Sequence, residues 1–155
     1  MKKIVLIWIG KTEDIYLEEN IQKYTKRIEK YVNLEVKTVP AGKEKTPDLL
    51  KHIQGKALLS EIKTEDFLIL LDEKGLEFTS TNFANFLQKT QVKTKGNLIF
   101  VIGGAFGFSQ DVYQRANEKL ALSKMTFPHQ IIRLFFAEQI YRAFTIINGE
   151  KYHHD

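Results

Sequence analysis

Hydrophobic positions along the chain change period several times, from unbroken runs to helical spacing and back. Lys3–Ile9 is apolar and β-branched and stops at Gly10, which predicts a buried strand. Ile15, Ile21, Tyr24, Ile28 and Tyr31 share one helical face, predicting a helix capped by Thr12 that runs to about Tyr31. Asn33 breaks that pattern. Leu34–Val39 then alternates apolar and polar residues, as a half-exposed strand ending at Pro40 would. A basic, glycine-containing loop, Ala41–Thr46, leads to Pro47 and Asp48, which open a second helix through roughly Ile62 with Gly55 inside it.

The second half repeats the alternation. Phe67–Leu71 is a continuous apolar run and predicts a central strand, after which Asp72-Glu73-Lys74-Gly75 is expected to turn the chain. Thr79 or Ser80 caps a helix with Phe83, Phe86 and Leu87 inward. Leu98–Ile102 is a further buried strand that empties into Gly103-Gly104-Ala105-Phe106-Gly107. Ser109 caps a short helix near Val112–Ala116, Leu120–Leu122 is the last strand, and a long helix follows Pro128 to about Ile147. Strands alternating with helices predict an α/β fold with a mostly parallel sheet flanked by helices. With no repeat or linker, residues 1–155 read as one domain.

Composition changes this picture little. The 155 residues, 43% of them hydrophobic, suffice for a core without covalent staples. The absence of cysteine excludes disulfides, thiolate metal sites and a cysteine nucleophile, and suits a cytoplasmic protein. The opening MKKIVLIWIGK has the charge and apolar run of a signal peptide, but the run is short and no small-residue cleavage site closes it; a first strand explains it better. No run is long enough to span a bilayer, so no membrane partner is expected. The net charge of +4 is compatible with a nucleic-acid partner.

Chemistry is expected at the carboxyl ends of the strands, where open parallel sheets bind ligands. The order G-G-x-x-G at Gly103–Gly107 permits close backbone approach but is neither the dinucleotide fingerprint nor a P-loop; a plain tight turn is the alternative. Asp72 and Glu73 can accept from ribose hydroxyls or be solvated turn residues. In Ser123-Lys124-Met125-Thr126-Phe127-Pro128-His129, backbone groups can read an adenine edge with Met125 and Phe127 packed on its face, or both can be core residues. The helix after Pro128 is apolar on nearly every side, including Ile131, Leu134, Phe135, Ile140 and Phe144, and therefore needs cover on two faces. A partner subunit would supply the second, which predicts a homodimer. Glu138 and Arg142 are spaced for an i,i+4 pair, whereas Arg133, one turn from His129, is assigned to substrate. The ending Tyr152-His153-His154 is either a frayed terminus or an aromatic and imidazole group that stacks on a base and moves a proton. With no carboxylate cluster nearby in sequence, no metal is expected there.

The segments VIGGAFG, LSKMTFPHQIIR and EQIYRAFTIINGE and the YHH ending resemble the RlmH family, ribosomal RNA large subunit methyltransferase H, of the SPOUT class, over essentially the whole chain. The resemblance implies a trefoil-knotted α/β domain, an obligate homodimer and S-adenosylmethionine as cofactor. The implied cofactor contacts are Leu71, Gly103, Gly104, Leu122, Ser123, Lys124, Met125, Thr126 and Phe127. The implied reaction is methylation at N3 of a pseudouridine in large-subunit rRNA on assembled ribosomes, with Tyr152, His153, His129 and Arg133 near the target base. His153 or His129 accepts the imide proton on this reading, and the tail acts in its own subunit or across the dimer. A non-catalytic RNA-binding module and a nucleotide-dependent α/β enzyme are the competing readings; intact cofactor-loop residues oppose the first, and the incomplete glycine fingerprint opposes the second.

Overall fold

The structure, a computed structural model, describes residues 2–154. Five strands, β1 (Ile4–Ile9), β2 (Leu34–Val39), β3 (Phe67–Glu77), β4 (Leu98–Ile102) and β5 (Glu118–Ala121), form one sheet in the order β2-β1-β4-β3-β5. Every neighbouring pair is parallel. Four helices connect them, α1 (Ile15–Ile28), α2 (Pro47–Ser60), α3 (Ser80–Lys93) and α4 (Gln110–Arg115), and α5 (Ile131–Ile147) follows the last strand.

The unbroken apolar runs have a simple cause. Side chains alternate across a strand, and both faces of this sheet are covered. Ile4, Leu6 and Trp8 of β1 join Leu98, Phe100 and Ile102 of β4 beneath α1, α3 and α5. Val5, Ile7 and Ile9 join Ile99 and Val101 on the other face, against Leu58 of α2 and Val112 of α4. Burying each such side chain stabilises the fold by about 1.5–3 kcal/mol. Strand β2 lies at an edge, and its mixed burial follows.

Helix starts follow from side-chain caps. Thr46, Thr79 and Ser109 accept from Leu49, Asn82 and Val112 backbone N–H groups. At α1 the cap is Asp14, which accepts from Tyr16 and Leu17; the expected cap, Thr12, is buried and engaged elsewhere. Ile15 is not on the inward face: six residues before Ile21, it lies about 240° round the helix from it and is 66% exposed. Gly55 in α2 lies against Ser109 and Val112, so its missing side chain lets α2 and α4 approach closely.

Two further expectations change. Residues 72–75 fall within the span of β3, but as a bulge: Leu71 and Leu76 both pair with Leu120, so the four residues between them are looped out of the ladder before the strand resumes to Glu77. Gly75 permits this, since a Cβ there would stand 2.5 Å from the backbone N of Leu120. Helix α5 packs on the sheet with α1 on one flank and α3 on the other, so the same subunit already supplies much of the cover its apolar surface requires. Ile131 at 38% and Phe135 at 42% remain exposed.

Candidate active site

Because all five strands run the same way, their carboxyl ends share one edge of the sheet. Three connections there enclose a cleft of about 550 Å³: the start of the β3 extension, the Gly103–Phe108 segment after β4, and the loop after β5. Its size is that of small-molecule sites. Leu71, Gly103, Gly104, Leu122, Ser123, Met125, Thr126, Phe127 and His129 all line it, as expected. Lys124 is the exception: it is exposed and outside the lining.

Local hydrogen bonds shape the walls. The Gly107 N–H donates to the Gly104 carbonyl at 3.2 Å, with Gly107 at φ +79°, folding the glycine segment into a tight turn that leaves Phe106 55% exposed. Ser123 Oγ accepts from the Met125 N–H at 3.0 Å, and Met125 is 74% exposed. Adjacent residues of β3 reach opposite walls. Tyr113 Oη on α4 donates to Asp72 Oδ2 at 2.5 Å, and Thr126 Oγ1 donates to Glu73 Oε2 at 2.5 Å. Burial and the bond to Asp72 push the Tyr113 hydroxyl well above the usual tyrosine range, so it is a neutral donor. Tyr113 was not singled out in the sequence; an exposed aromatic on a short helix carries no signal until its strand partner is known.

Arg133 is not at the mouth of the cleft, contrary to the assignment to substrate. It is 0% exposed, donating to the Ile9 carbonyl at 2.9 Å and to Thr12 Oγ1 at 2.8 Å, with its guanidinium 5.7 Å from the Trp8 ring. A buried guanidinium so engaged cannot reach a phosphate. Gln130 completes a brace: its Nε2 donates to the Lys11 carbonyl at 3.1 Å, and its Oε1 accepts from the Glu13 N–H at 2.9 Å. Four bonds thus fix the first turn of α5 to the end of β1. His129 stands just before this turn. Burial, followed by the Arg133 charge, holds its imidazole below the ordinary value and so favours the neutral ring.

The tail is folded back rather than frayed. Tyr152 Oη donates to Glu138 Oε1 at 3.0 Å, its ring packs edge-to-face with Tyr141 with centroids 4.8 Å apart, and the Arg142 guanidinium lies 4.9 Å from its ring centroid. Arg142 Nη2 pairs with Glu138 Oε1 at 2.7 Å, as the spacing predicted, and Arg142 Nη1 donates to His153 Nδ1 at 3.0 Å. Tyr31 Oη holds Glu150 at 2.8 Å. This cluster lies towards the far end of α5. From Ile132, which lines the cleft, to Arg142 the helix rises by roughly 15 Å. The structure therefore gathers His129 with the cleft and leaves Tyr152 and His153 apart from it within one subunit.

The lining suits a ligand with an aromatic or nucleoside part and a cationic part: exposed apolar groups at Met125 and Phe106, backbone-rich loops, and two carboxylates. Among the described residues, no group of three or more His, Asp or Glu can hold a metal ion, and no helix is long and apolar enough to cross a membrane.

Residues 1–153 match the family described as "Predicted SPOUT methyltransferase". The chain is similar to the ribosomal RNA large subunit methyltransferase H of Cytophaga hutchinsonii, 53% identical over 154 residues, covering 98% of this chain and 99% of the relative. It is also similar to the protein of the same name from Christiangramia forsetii, 47% identical over 155 residues, covering 97% of this chain and 98% of the relative. Among solved structures it resembles a probable methylase family protein from Haemophilus influenzae, with TM-score 0.54 and 13% identity, over 96% of this chain and 67% of that one, a likeness of fold.

Proposed function

The chain belongs to the SPOUT methyltransferase family, and on that premise we propose that it methylates large-subunit ribosomal RNA with S-adenosylmethionine as donor, at N3 of a pseudouridine on the assembled ribosome. One observation carries the reading: the glycine segment and the loop after β5, two of the stretches that bear the family resemblance, form facing walls of one cleft at the shared strand edge. Leu71, Gly103, Gly104, Leu122, Ser123, Met125, Thr126 and Phe127 would hold the donor, with Lys124 left for RNA phosphate. When bound, S-adenosylmethionine supplies a methyl group made electrophilic by its sulfonium centre. The protein's share is alignment, worth roughly 7–11 kcal/mol when two reactants are held in register.

The acid–base roles divide between two histidines. His129 lines the cleft and favours the neutral form, so it is the acceptor for the N3 imide proton. His153 takes a hydrogen bond from Arg142 at Nδ1, so its neutral ring keeps its proton on Nε2. Arg142 thereby fixes the orientation of the ring that the tail presents to the base. Arg133 acts from behind, by fixing the turn that follows His129.

Tyr152 and His153 do not line the cleft of their own subunit. A homodimer resolves this by setting the tail of one copy at the cleft of the other. The exposed Ile131 and Phe135, beside a groove of about 270 Å³ lined by Phe78, Phe83 and Phe127, supply the apolar surface for pairing. The trefoil knot, the single domain and a cytoplasmic site of action belong to the same reading.

The test is transfer of labelled methyl from S-adenosylmethionine to ribosomes lacking the modification, followed by mapping of the base. One methyl at N3 of a single pseudouridine is expected, with free rRNA a poorer substrate than whole ribosomes. No transfer to ribosomes or free rRNA, with donor binding intact, would refute it.

A further inference from the structure

The charges in the cleft are of the opposite sense to the protein as a whole. The chain carries a net charge of +4, yet Asp72 and Glu73, adjacent on β3, line opposite walls of the cleft, where Lys74 is the one lysine or arginine of the lining. Both carboxylates are held by neutral groups. Asp72 accepts from the Lys74 N–H at 2.8 Å and from the Tyr113 hydroxyl at 2.5 Å. Glu73 accepts from the Thr126 hydroxyl at 2.5 Å. Among the described residues, neither forms an ion pair. Hydroxyl and amide donors fix where these oxygens sit but leave their charge in place. A wall built this way presents a fixed negative potential to whatever enters.

We infer that Asp72 and Glu73 set the cleft's preference for the charged methyl donor over its spent product. This rests on the donor reading above. S-adenosylmethionine and S-adenosylhomocysteine share the adenosine and the amino-acid group. They differ at sulfur, which is a sulfonium cation in the first and a neutral thioether in the second. Contacts to the shared parts cancel in the ratio of the two affinities, and the field acting on that one charge remains. A cleft of about 550 Å³ keeps a bound sulfur within roughly one Debye length of both carboxylates, where screening is incomplete. The two acidic groups therefore favour the donor, and they help the product leave once its charge is gone. Tyr113 and Thr126 are positioning residues in this device, since each locks one carboxylate towards its wall.

The test is calorimetric affinity for S-adenosylmethionine, S-adenosylhomocysteine and sinefungin, in which an amine carried on carbon restores the positive charge at the sulfur position. Asp72→Asn and Glu73→Gln preserve shape and the ability to accept. Each should lower the donor-to-product affinity ratio about three- to tenfold, and the double variant more. Sinefungin should follow the donor, and Lys74→Gln should shift the ratio the opposite way. An unchanged ratio in Asp72→Asn and Glu73→Gln, with both ligands still bound, overturns the charge role while leaving the donor assignment standing. Failure of the unmodified protein to bind any of the three overturns the donor assignment as well. Circular dichroism and melting of each variant separate either result from misfolding.

Discussion

Arg133 Nη1 donates to Thr12 Oγ1 at 2.8 Å, a buried bond between residues 121 positions apart. It ties the helix that follows the cleft loop to the end of the first strand. Removing the guanidinium leaves the Ile9 carbonyl and the Thr12 hydroxyl without this donor and opens a cavity under Trp8. Arg133→Ala is expected to cost about 2–4 kcal/mol, and Thr12→Val about 1 kcal/mol. In urea titrations the double variant should be less destabilised than the sum of the two, because both act on one bond. Additive losses would show that the bond contributes nothing.

His129 gives the pH dependence. Its folded-state value lies below the ordinary 6.5, so the unfolded chain binds its proton first as pH falls. Stability then rises with pH across the window between the lowered value and about 6.5, and is fully present above it. Titration of the ring by NMR should locate the lowered value. His129→Gln should flatten that segment of the stability curve and depress methyl transfer at least tenfold at neutral pH, a loss within the range of general base catalysis.

Gly75 tests the β3 extension. A methyl group there meets the backbone of Lys119 and Leu120, which cannot give way as a flexible side chain would. Gly75→Ala should cost about 2–4 kcal/mol by thermal unfolding. It should also weaken donor binding, because β5 leads directly into the cleft loop. A surface-like loss below about 0.5 kcal/mol would show that β3 and β5 are less closely apposed there.

Subunit exchange tests the tail. Phe135→Glu should halve the mass seen by light scattering and abolish transfer while the fold persists. Mixing a Gly103→Val cleft variant with a His153→Ala tail variant should restore about a quarter of wild-type activity. Half of the dimers are then mixed, and each carries one complete site of two. No recovery in a mixture shown to exchange subunits would place the tail and cleft of one site in the same chain.

Strand identities were legible because covering both faces of a sheet leaves a signature that composition cannot mimic: Ile4–Ile9, Phe67–Leu71 and Leu98–Ile102 are all apolar for that reason. Cleft-lining residues were legible as motifs. The role of Arg133 was not. Its position one turn from His129 is the same whether it points to solvent or to the sheet, and its partners are set by β1, more than a hundred residues earlier. The Asp72–Gly75 segment, a bulge after which the strand resumes, was legible only in part for a related reason. Its residue types are those of a turn, and only the nearness of Lys119 and Leu120 shows why glycine is needed within a strand. Helix α5 looked half uncovered because helices contributed by distant segments, α1 and α3, leave no mark in its own sequence.

Strand β4 lies between β1 and β3, so the middle of the sheet is filled by a strand synthesised after both its neighbours. The Leu98 N–H donates to the Lys3 carbonyl, and the Asn97 side chain takes the Lys3 N–H. The first strand must wait for some ninety further residues to be made before these partners exist. Until then β1 and β2 can pair, but β3 has nothing to join them through. The sheet therefore cannot grow outward from the amino terminus, and it joins only once about two thirds of the chain has been made. A nascent chain that stalls before residue 98 leaves the apolar edges of β1 and β3 for chaperones to shield.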